Sequence, residues 1–299
     1  MILVAGGTGF IGSAVVRRLL RDGGDVTVMS AHPGRRSRGD GARVALGDVQ
    51  RPETLRAAVA GADVVVQALT FPTFPVEKPS KGYTFEEFEH RGTERLVRAA
   101  AEGGVRRYVY VSGVGAAPGA EKVWHRAKWA GERAVLGSSM SACVLRPSWV
   151  YGAGDRALNR FVAFARRGPA VPVIGDGLQR VQPVFVEDLA EVVARAAAVD
   201  GPTGVFEVGG PEVMTMNDVL AEVLRALGRR KRLVHLPPVL PKAAGAVVSV
   251  LPKPPLSPSA VDFATGDAVA DTAGLLAAFP GLRFRSLAEG LATYLTPRP

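Results

Sequence analysis

Several residue types that mark particular classes of protein are scarce in this chain of 299 residues. It has one cysteine, Cys143, so an intrachain disulfide is impossible and a reducing compartment, the cytoplasm, is expected. The four histidines stand apart from one another, without the paired spacings of zinc ligands, so no metal site is predicted. No apolar run approaches the roughly 20 residues that a membrane-spanning helix needs. The sequence therefore predicts a globular protein without a disulfide, a metal site or a membrane span.

Negative charge is also scarce relative to positive charge. Lys and Arg number 37 against 28 Asp and Glu, which gives a net charge of +9, and only seven of the 37 are Lys. Such a balance favours non-specific attraction to anions. The arginines are spread along the chain, however, and there is no zinc-finger spacing, RNA-recognition strand or basic arm. We therefore expect a small-molecule substrate rather than a nucleic acid as the partner, and the composition leaves a homodimer open.

Apolar runs of strand length alternate with helical patterns through the first half of the chain. With 47% hydrophobic residues, the chain can fill a large core. Strands that alternate with helices predict a parallel sheet covered on both faces, the doubly wound α/β (Rossmann) fold. The predicted strands cover 2–5, 25–29, 43–46, 63–66, 107–111 and 142–145, and the predicted helices include 85–101 and 124–136.

After Tyr151 the regular alternation ends. Further helices are predicted at 158–167 and 189–199, and further strands at 181–186 and 204–208. The economical interpretation is a Rossmann domain over residues 1–175 and a smaller α/β substrate domain over residues 176–299. In this interpretation the chain crosses back to the Rossmann sheet near 181–208.

A glycine-rich segment follows the first predicted strand and opens an amphipathic helix. It matches both G-x-G-x-x-G and G-x-x-G-x-x-G. Glycines allow the backbone to approach a pyrophosphate closely, and the free N–H groups of a helix N-terminus bind the anion. A tight turn without a ligand is the alternative. The residues predicted to contact a dinucleotide here are Gly6, Thr8, Gly9, Phe10, Ile11 and Gly12.

The second predicted strand ends without the acidic residue that is usual in an NAD site. An Asp or Glu there would accept a hydrogen bond from the ribose 2′-hydroxyl, but this chain has Ser30, followed by Arg35 and Arg36. A guanidinium group binds a 2′-phosphate through two hydrogen bonds. We therefore predict NADP(H) as the cofactor, with NAD(H), and a solvated basic loop, as the alternatives.

Two further strand ends complete the predicted cofactor site. Asp48 and Val49 follow the third strand, where Asp48 is placed to contact the adenine amino group. Ala68, Leu69 and Thr70 follow the fourth strand and are predicted to line the nicotinamide ribose.

The chain also carries four short motifs in a characteristic order. They are the glycine-rich segment 4–12, Gly-Asp-Val at 47–49, Tyr-Val-Ser-Gly at 110–113 and Leu-Arg-Pro-Ser-Trp-Val-Tyr-Gly at 145–152. Together they resemble the extended short-chain dehydrogenase/reductase superfamily, whose members include NAD-dependent epimerases and dehydratases. More narrowly, the chain is similar to the atypical branch that contains the complex I alpha-subcomplex subunit nine group, through 154–161, 181–189, 255–257 and 267–269. The resemblance implies cofactor contacts from Pro147 and Val150.

The resemblance also implies where catalysis would take place. Active members use Tyr-x-x-x-Lys, whose tyrosine exchanges a proton with the substrate while the lysine holds the nicotinamide ribose, and a serine polarises the carbonyl. Lys128 and Ser112 occupy the lysine and serine positions, but Trp124 replaces the tyrosine and Glu89 replaces an asparagine. An indole cannot act as an acid in this range. The candidate catalytic residues Lys128, Ser112 and Trp124 therefore either work with a non-standard proton donor or only bind the cofactor.

Three functions follow from these residues and stay open at this point. The first is an atypical NADP(H)-dependent oxidoreductase that reduces a carbonyl or an activated double bond. The second is a catalytically silent dinucleotide-binding protein with a structural or regulatory role. The third is a nucleotide-sugar epimerase or dehydratase, which depends most on the missing tyrosine.

Overall fold

A computed structural model describes residues 1–32, 41–237, 239 and 266–295. The chain divides into two compact units. The first consists of Met1–Pro147, Val186–Val208 and Ala270–Arg283, and the second consists of Ser148–Phe185, Gly209–Val269 and Phe284–Pro299. Residues 148–175, which the prediction assigned to the Rossmann domain, fall in the second unit, and 186–208 fall in the first, in the part of the chain that is predicted to cross back to the sheet.

Strands and helices alternate along most of the described chain. The strands are β1 (Ile2–Ala5), β2 (Val26–Ser30), β3 (Arg43–Leu46), β4 (Val64–Gln67), β5 (Arg107–Val111), β6 (Ser141–Pro147), β7 (Val150–Tyr151), β8 (Val171–Ile174), β9 (Arg180–Val181), β10 (Val184–Phe185), β11 (Gly204–Val208), β12 (Met214–Thr215) and β13 (Leu233–Leu236). The helices are α1 (Phe10–Arg21), α2 (Leu55–Val59), α3 (Gly92–Glu102), α4 (Val123–Leu136), α5 (Ala157–Arg167), α6 (Val186–Ala196), α7 (Met216–Ala226), α8 (Ala273–Ala278) and α9 (Leu287–Leu295).

The first unit is built on a parallel sheet to which the described residues contribute seven strands, in the order β3-β2-β1-β4-β5-β6-β11. The central strands are apolar and buried, as expected for a sheet covered on both faces. The strand order reverses between β1 and β4, and in open α/β sheets ligands bind outside the carboxyl ends of the strands at such a point. The predicted doubly wound α/β fold is confirmed.

The helix predicted at 85–101 differs from the observed one. A π-helix, Glu86–Arg91, precedes α3 and turns Phe88 and Glu89 into the core. Helix α4 approaches this π-helix closely at Gly131, where a Cβ atom would lie 2.4 Å from the carbonyl oxygen of Glu89. A π-helix adds a residue to a helical turn and is frequent at functional sites, so its position bears on the site described below.

The second unit contains short paired strands and helices. The strand predicted at 181–186 is two strands, β9 and β10, which pair with β12 and β7 respectively. Pro183 separates them, because proline has no N–H group to donate to a sheet. Helix α7 was missing from the prediction, although Thr215 and Asp218 form a capping box at its start. No helix in the described part of the chain has the length and apolar character needed to cross a membrane.

Candidate functional site

The glycine-rich turn lies between β1 and α1, and three of the four glycines in residues 6–12 have different structural roles. Gly6 has a φ of +87°, and a Cβ atom there would lie 2.4 Å from the carbonyl oxygen of Ala68. A Cβ atom at Gly12 would lie 2.1 Å from the carbonyl oxygen of Gly6. At Gly9, in contrast, a Cβ atom would meet only the Gly6 oxygen, at 3.2 Å. The fold itself therefore requires Gly6 and Gly12, whereas Gly9 leaves open space above the turn.

The N-terminus of α1 lies at this open space. Gly9 is the N-cap residue and has no side chain to cap the helix, and the first turn contains no acidic residue. Thr8 is exposed, and Phe10 and Ile11 are half-buried in the first turn. Free N–H groups and the positive end of the helix dipole bind an anion well. The residues present therefore fit the pyrophosphate of a dinucleotide.

The ends of β2 and β3 hold other residues predicted for the cofactor site. The Ser30 hydroxyl accepts a hydrogen bond from the backbone N–H of His32 at 3.1 Å. Arg35 and Arg36 lie outside the described residues. The Asp48 carboxylate accepts bonds from the backbone N–H of Gln50 at 3.0 Å and from Nε of Arg51 at 3.1 Å, so it also stabilises its own turn. Val49 is buried in the core.

The end of β4 lies directly beside the glycine-rich turn. The N–H of Ala68 donates to the carbonyl oxygen of Ala5 at 2.9 Å, and the backbone of Leu69 also lies against Gly6. Thr70, the third predicted residue here, is exposed. The structure thus brings the two predicted segments together at the point where the strand order reverses.

The two remaining predicted cofactor contacts fall in different units. Pro147 ends β6 in the first unit, and Val150 begins β7 in the second. Their contribution to a cofactor site stays a prediction.

Lys128 on α4 is buried and already engaged. Its Nζ atom donates to the carbonyl oxygen of Val111 at 2.9 Å and lies 2.7 Å from Oε2 of Glu89. The ammonium also lies 4.9 Å from the centre of the Tyr110 ring. The exposed fractions of the Lys128 and Glu89 side chains are 4% and 0%. The lysine and the residue that replaces the family's asparagine therefore form one buried ion pair.

The Glu89 carboxylate is satisfied incompletely by this pair. Burial raises its pKa, and the charge of Lys128 opposes that rise. Its Oε1 atom has no hydrogen-bond partner among the described residues. The backbone around it is held firmly, because Thr93 Oγ1 donates to the Glu89 carbonyl oxygen at 2.8 Å and itself accepts from Nε2 of Gln67 at 2.8 Å.

Ser112, which directly follows β5, is held by a second buried acid. Its hydroxyl donates to Oε1 of Glu132 at 2.5 Å. Arg146 binds both oxygens of the same carboxylate, through Nε at 2.8 Å and Nη2 at 2.5 Å. Glu132 and Arg146 are not among the site residues predicted from the sequence, although the position of Glu132 one helical turn after Lys128 is a usable signal.

Trp124 covers the backbone immediately after Ser112. A Cβ atom at Gly113 would lie 2.3 Å from Cη2 of the indole, so only glycine permits this contact. The indole also meets the Phe74 ring edge-on, with 6.4 Å between ring centres, and packs against the hydrophobic core. The place of the family's tyrosine is thus filled by a packed aromatic group.

Two neighbouring side chains, His125 and Tyr110, have pKa values shifted away from neutral pH. Burial and the charge of Lys122 lower the pKa of His125 to about 4, so the imidazole is neutral at pH 7. Burial, together with the Glu89 charge, raises the pKa of Tyr110 well above its usual value. The first unit thus contains a turn that fits a dinucleotide, a lysine with two of its three protons directed at protein groups, and a serine whose proton is donated to Glu132.

Comparisons with known proteins show the family of the chain. A sequence model of the NAD dependent epimerase/dehydratase family matches residues 2–209. The mitochondrial NADH dehydrogenase (ubiquinone) 1 alpha subcomplex subunit 9 of Arabidopsis thaliana is 33% identical over 274 residues, which cover 85% of this chain and 66% of that protein. The chain thus spans just under two thirds of that relative's length.

Two further similarities concern a named enzyme and a solved structure. An NAD(P)H azoreductase of Xenophilus azovorans is 30% identical over 242 residues, which cover 79% of this chain and 77% of that protein. The UDP-glucose 4-epimerase of Thermotoga maritima superimposes with a TM-score of 0.75 over 97% of this chain and 96% of that chain, at 21% identity. At that identity the similarity supports the fold alone.

Proposed function

The chain belongs to the NAD dependent epimerase/dehydratase family, and from this premise we propose that it binds NADP(H) but does not exchange a proton with a substrate as the tyrosine of active members does. The resemblance to the extended short-chain dehydrogenase/reductases that the motifs indicate is confirmed. The prediction that the chain is a dinucleotide-binding protein of that family is confirmed as well. The single observation that carries the proposal is the buried ion pair between Lys128 and Glu89.

The glycine-rich turn supports the cofactor part of this proposal. The open space at Gly9 and the free N-terminus of α1 would hold the pyrophosphate. A pyridine nucleotide bound there supplies a hydride or accepts one. The absence of an acidic residue at the end of β2, together with Arg35 and Arg36 in the sequence, favours a 2′-phosphate over a free ribose hydroxyl.

The surroundings of Lys128 support the second part. An ammonium group has three protons to donate, and two of those of Lys128 face Val111 and Glu89. The Ser112 hydroxyl donates to Glu132 and has no proton left for a carbonyl oxygen. Losing a positioned general acid typically slows a reaction by about 10²–10⁴-fold. A structural or regulatory dinucleotide-binding role, as the name of the Arabidopsis relative suggests, fits these contacts.

A second candidate function is an NADP(H)-dependent reductase with a non-standard proton donor. The azoreductase that is 30% identical over most of this chain favours it. Because His125 is neutral and Tyr110 is buried, the proton in such a reaction would come from the substrate or from water.

Calorimetric titration with NADPH and with NADH tests the cofactor part. We expect NADPH to bind more tightly, and Gly9→Val to abolish binding by placing a side chain where the pyrophosphate would lie. Gly119→Val is the matched control, because a Cβ atom at Gly119 meets no atom within 4 Å. Equal affinities would remove the preference for NADPH, and retained binding by folded Gly9→Val would place the nucleotide elsewhere.

Stopped-flow oxidation of NADPH, with panels of carbonyl and azo compounds, tests the catalytic part. We expect no oxidation above the rate without protein. Turnover that is abolished by Gly9→Val and kept by Gly119→Val would favour the reductase instead.

A further inference from the structure

A cluster of positive charge lies in the second unit, away from the glycine-rich turn along the chain. It consists of Arg167, Arg229, Arg230, Lys231 and Arg232, which we call the basic surface. The four arginines are exposed, and Lys231 is half-buried. Four of the five residues are consecutive in the sequence.

Contacts of the backbone bring these residues to one place. The carbonyl oxygen of Arg232 accepts a hydrogen bond from the N–H of Val171 at 3.0 Å, and β13 then runs parallel to β8. Nζ of Lys231 donates to the carbonyl oxygen of Gly168, the residue that follows Arg167 at the end of α5. Residues 229–232 also line a surface depression of about 800 Å³ whose floor includes Ala221 and Leu224.

Among the described residues, no acidic side chain pairs with the arginines of this surface. Arg167, Arg229, Arg230 and Arg232 form no ion pair or side-chain hydrogen bond with another described residue. In the sequence, residues 223–261 contain no Asp or Glu, but seven Lys and Arg. Arg167 lies in the last turn of α5, where a cation interacts with the helix dipole, but residues 229–232 lie beyond the end of α7.

Exposed apolar side chains border the basic surface. Phe164 is 46% exposed on α5, one turn before Gly168, and Val234 is 44% exposed in β13, two residues after Arg232. A cluster of basic residues is attracted to the phosphates of an anionic bilayer, and exposed apolar side chains beside such a cluster would enter the interface. A single-stranded nucleic acid would need a series of aromatic side chains on which to stack. Among the exposed apolar residues that border the basic surface in the described chain, Phe164 supplies one aromatic ring.

We propose that the basic surface docks the protein onto an anionic lipid bilayer. The proposal is independent of the nucleotide site, because none of its residues belongs to the first unit. The full chain would be sedimented with vesicles of phosphatidylcholine containing one third phosphatidylglycerol, and with vesicles of phosphatidylcholine alone, at about 0.1 M NaCl. We expect binding to the anionic vesicles and release at high salt.

The substitutions Arg229→Gln, Arg230→Gln and Arg232→Gln, combined, should weaken this binding about a hundredfold, since each basic residue near an anionic bilayer contributes about a factor of five. The matched control removes three exposed arginines of the first unit that form no ion pair among the described residues, through Arg56→Gln, Arg98→Gln and Arg133→Gln. The control should retain vesicle binding, and both variants should retain wild-type nucleotide affinity.

Three results would overturn the proposal. The first is binding to neutral vesicles as tight as binding to anionic vesicles. The second is a loss of vesicle binding in the control variant equal to that in the triple variant of the basic surface. The third is absence of vesicle binding by a chain that binds a single-stranded RNA of mixed sequence. The third result would assign the basic surface to nucleic acid. Failure of the wild-type protein to bind a nucleotide would count against the proposed function and not against bilayer binding by this surface.

Discussion

The buried ion pair on α4 makes a quantitative prediction about stability. Glu89→Leu removes the carboxylate and leaves the Lys128 ammonium, 4% exposed, with a carbonyl oxygen and the Tyr110 ring as its partners. Removing one member of a buried pair costs about 3–5 kcal/mol, because the other charge is left uncompensated. The variant should therefore unfold at a much lower urea concentration than wild type.

The size of this loss has a ceiling. A lysine can lose its proton, and at pH 7 this costs about 4.6 kcal/mol, from a reference pKa of about 10.4 and about 1.36 kcal/mol per pH unit. We therefore expect Glu89→Leu to lower the free energy of unfolding by about 3–4.5 kcal/mol at pH 7. For Lys128→Met the corresponding ceiling is about 3.4 kcal/mol. It is lower because a carboxylate with an ordinary pKa of 4.5 needs less free energy to take up a proton at pH 7 than a lysine needs to lose one.

The stability of the Lys128→Met variant should depend on pH. In Lys128→Met burial raises the pKa of Glu89, so the folded state keeps a proton that the unfolded chain releases. The stabilisation that this proton gives the variant, relative to wild type, is fully present below pH 4.5, the ordinary pKa of a glutamate. It is lost as the pH rises through the raised pKa of Glu89.

Urea unfolding at several pH values, followed by tryptophan fluorescence, measures these changes, since Trp124 and Trp129 both lie on α4. The double variant Glu89→Leu, Lys128→Met is the control: it removes both charges and should recover most of the stability, without a pH slope. Losses below about 1 kcal/mol in both single variants, or a Lys128→Met stability relative to wild type that does not fall as the pH rises, would refute a buried, charged pair.

Four other substitutions have definite expected outcomes. Trp124→Tyr alone should produce no carbonyl reduction in an NADPH oxidation assay, because the lysine one turn later stays ion-paired; a tenfold rise in rate would contradict this. Glu132→Gln should lower the free energy of unfolding by about 3 kcal/mol by leaving Arg146 without its charge partner, and an unchanged urea midpoint would show that the pair is not stabilising. Gly12→Ala should lower the thermal midpoint strongly, whereas Gly9→Ala should not, because only the former places a Cβ atom within 2.1 Å of backbone; equal midpoints would disprove the assigned roles.

The sequence by itself determined the fold and the position of the dinucleotide turn. Both depend on local physics: apolar runs of strand length are buried in a parallel sheet, and a strand, four glycines and a helix follow within about 20 residues. The different roles of Gly6 and Gly9 could not be read from spacing, however. They depend on the backbone directly after β4, which lies against Gly6 although it is more than 60 residues later in the chain.

Only the tertiary structure decided what Lys128 and Ser112 do with their protons. Glu89 reaches the lysine through a π-helix that packs on α4 at Gly131, and Arg146 reaches Glu132 from a neighbouring strand. The same reason explains the boundary at residue 147, since β11 returns to the sheet only by pairing with β6. A charge pattern shows which groups can pair, but packing between distant segments determines which of them are buried together.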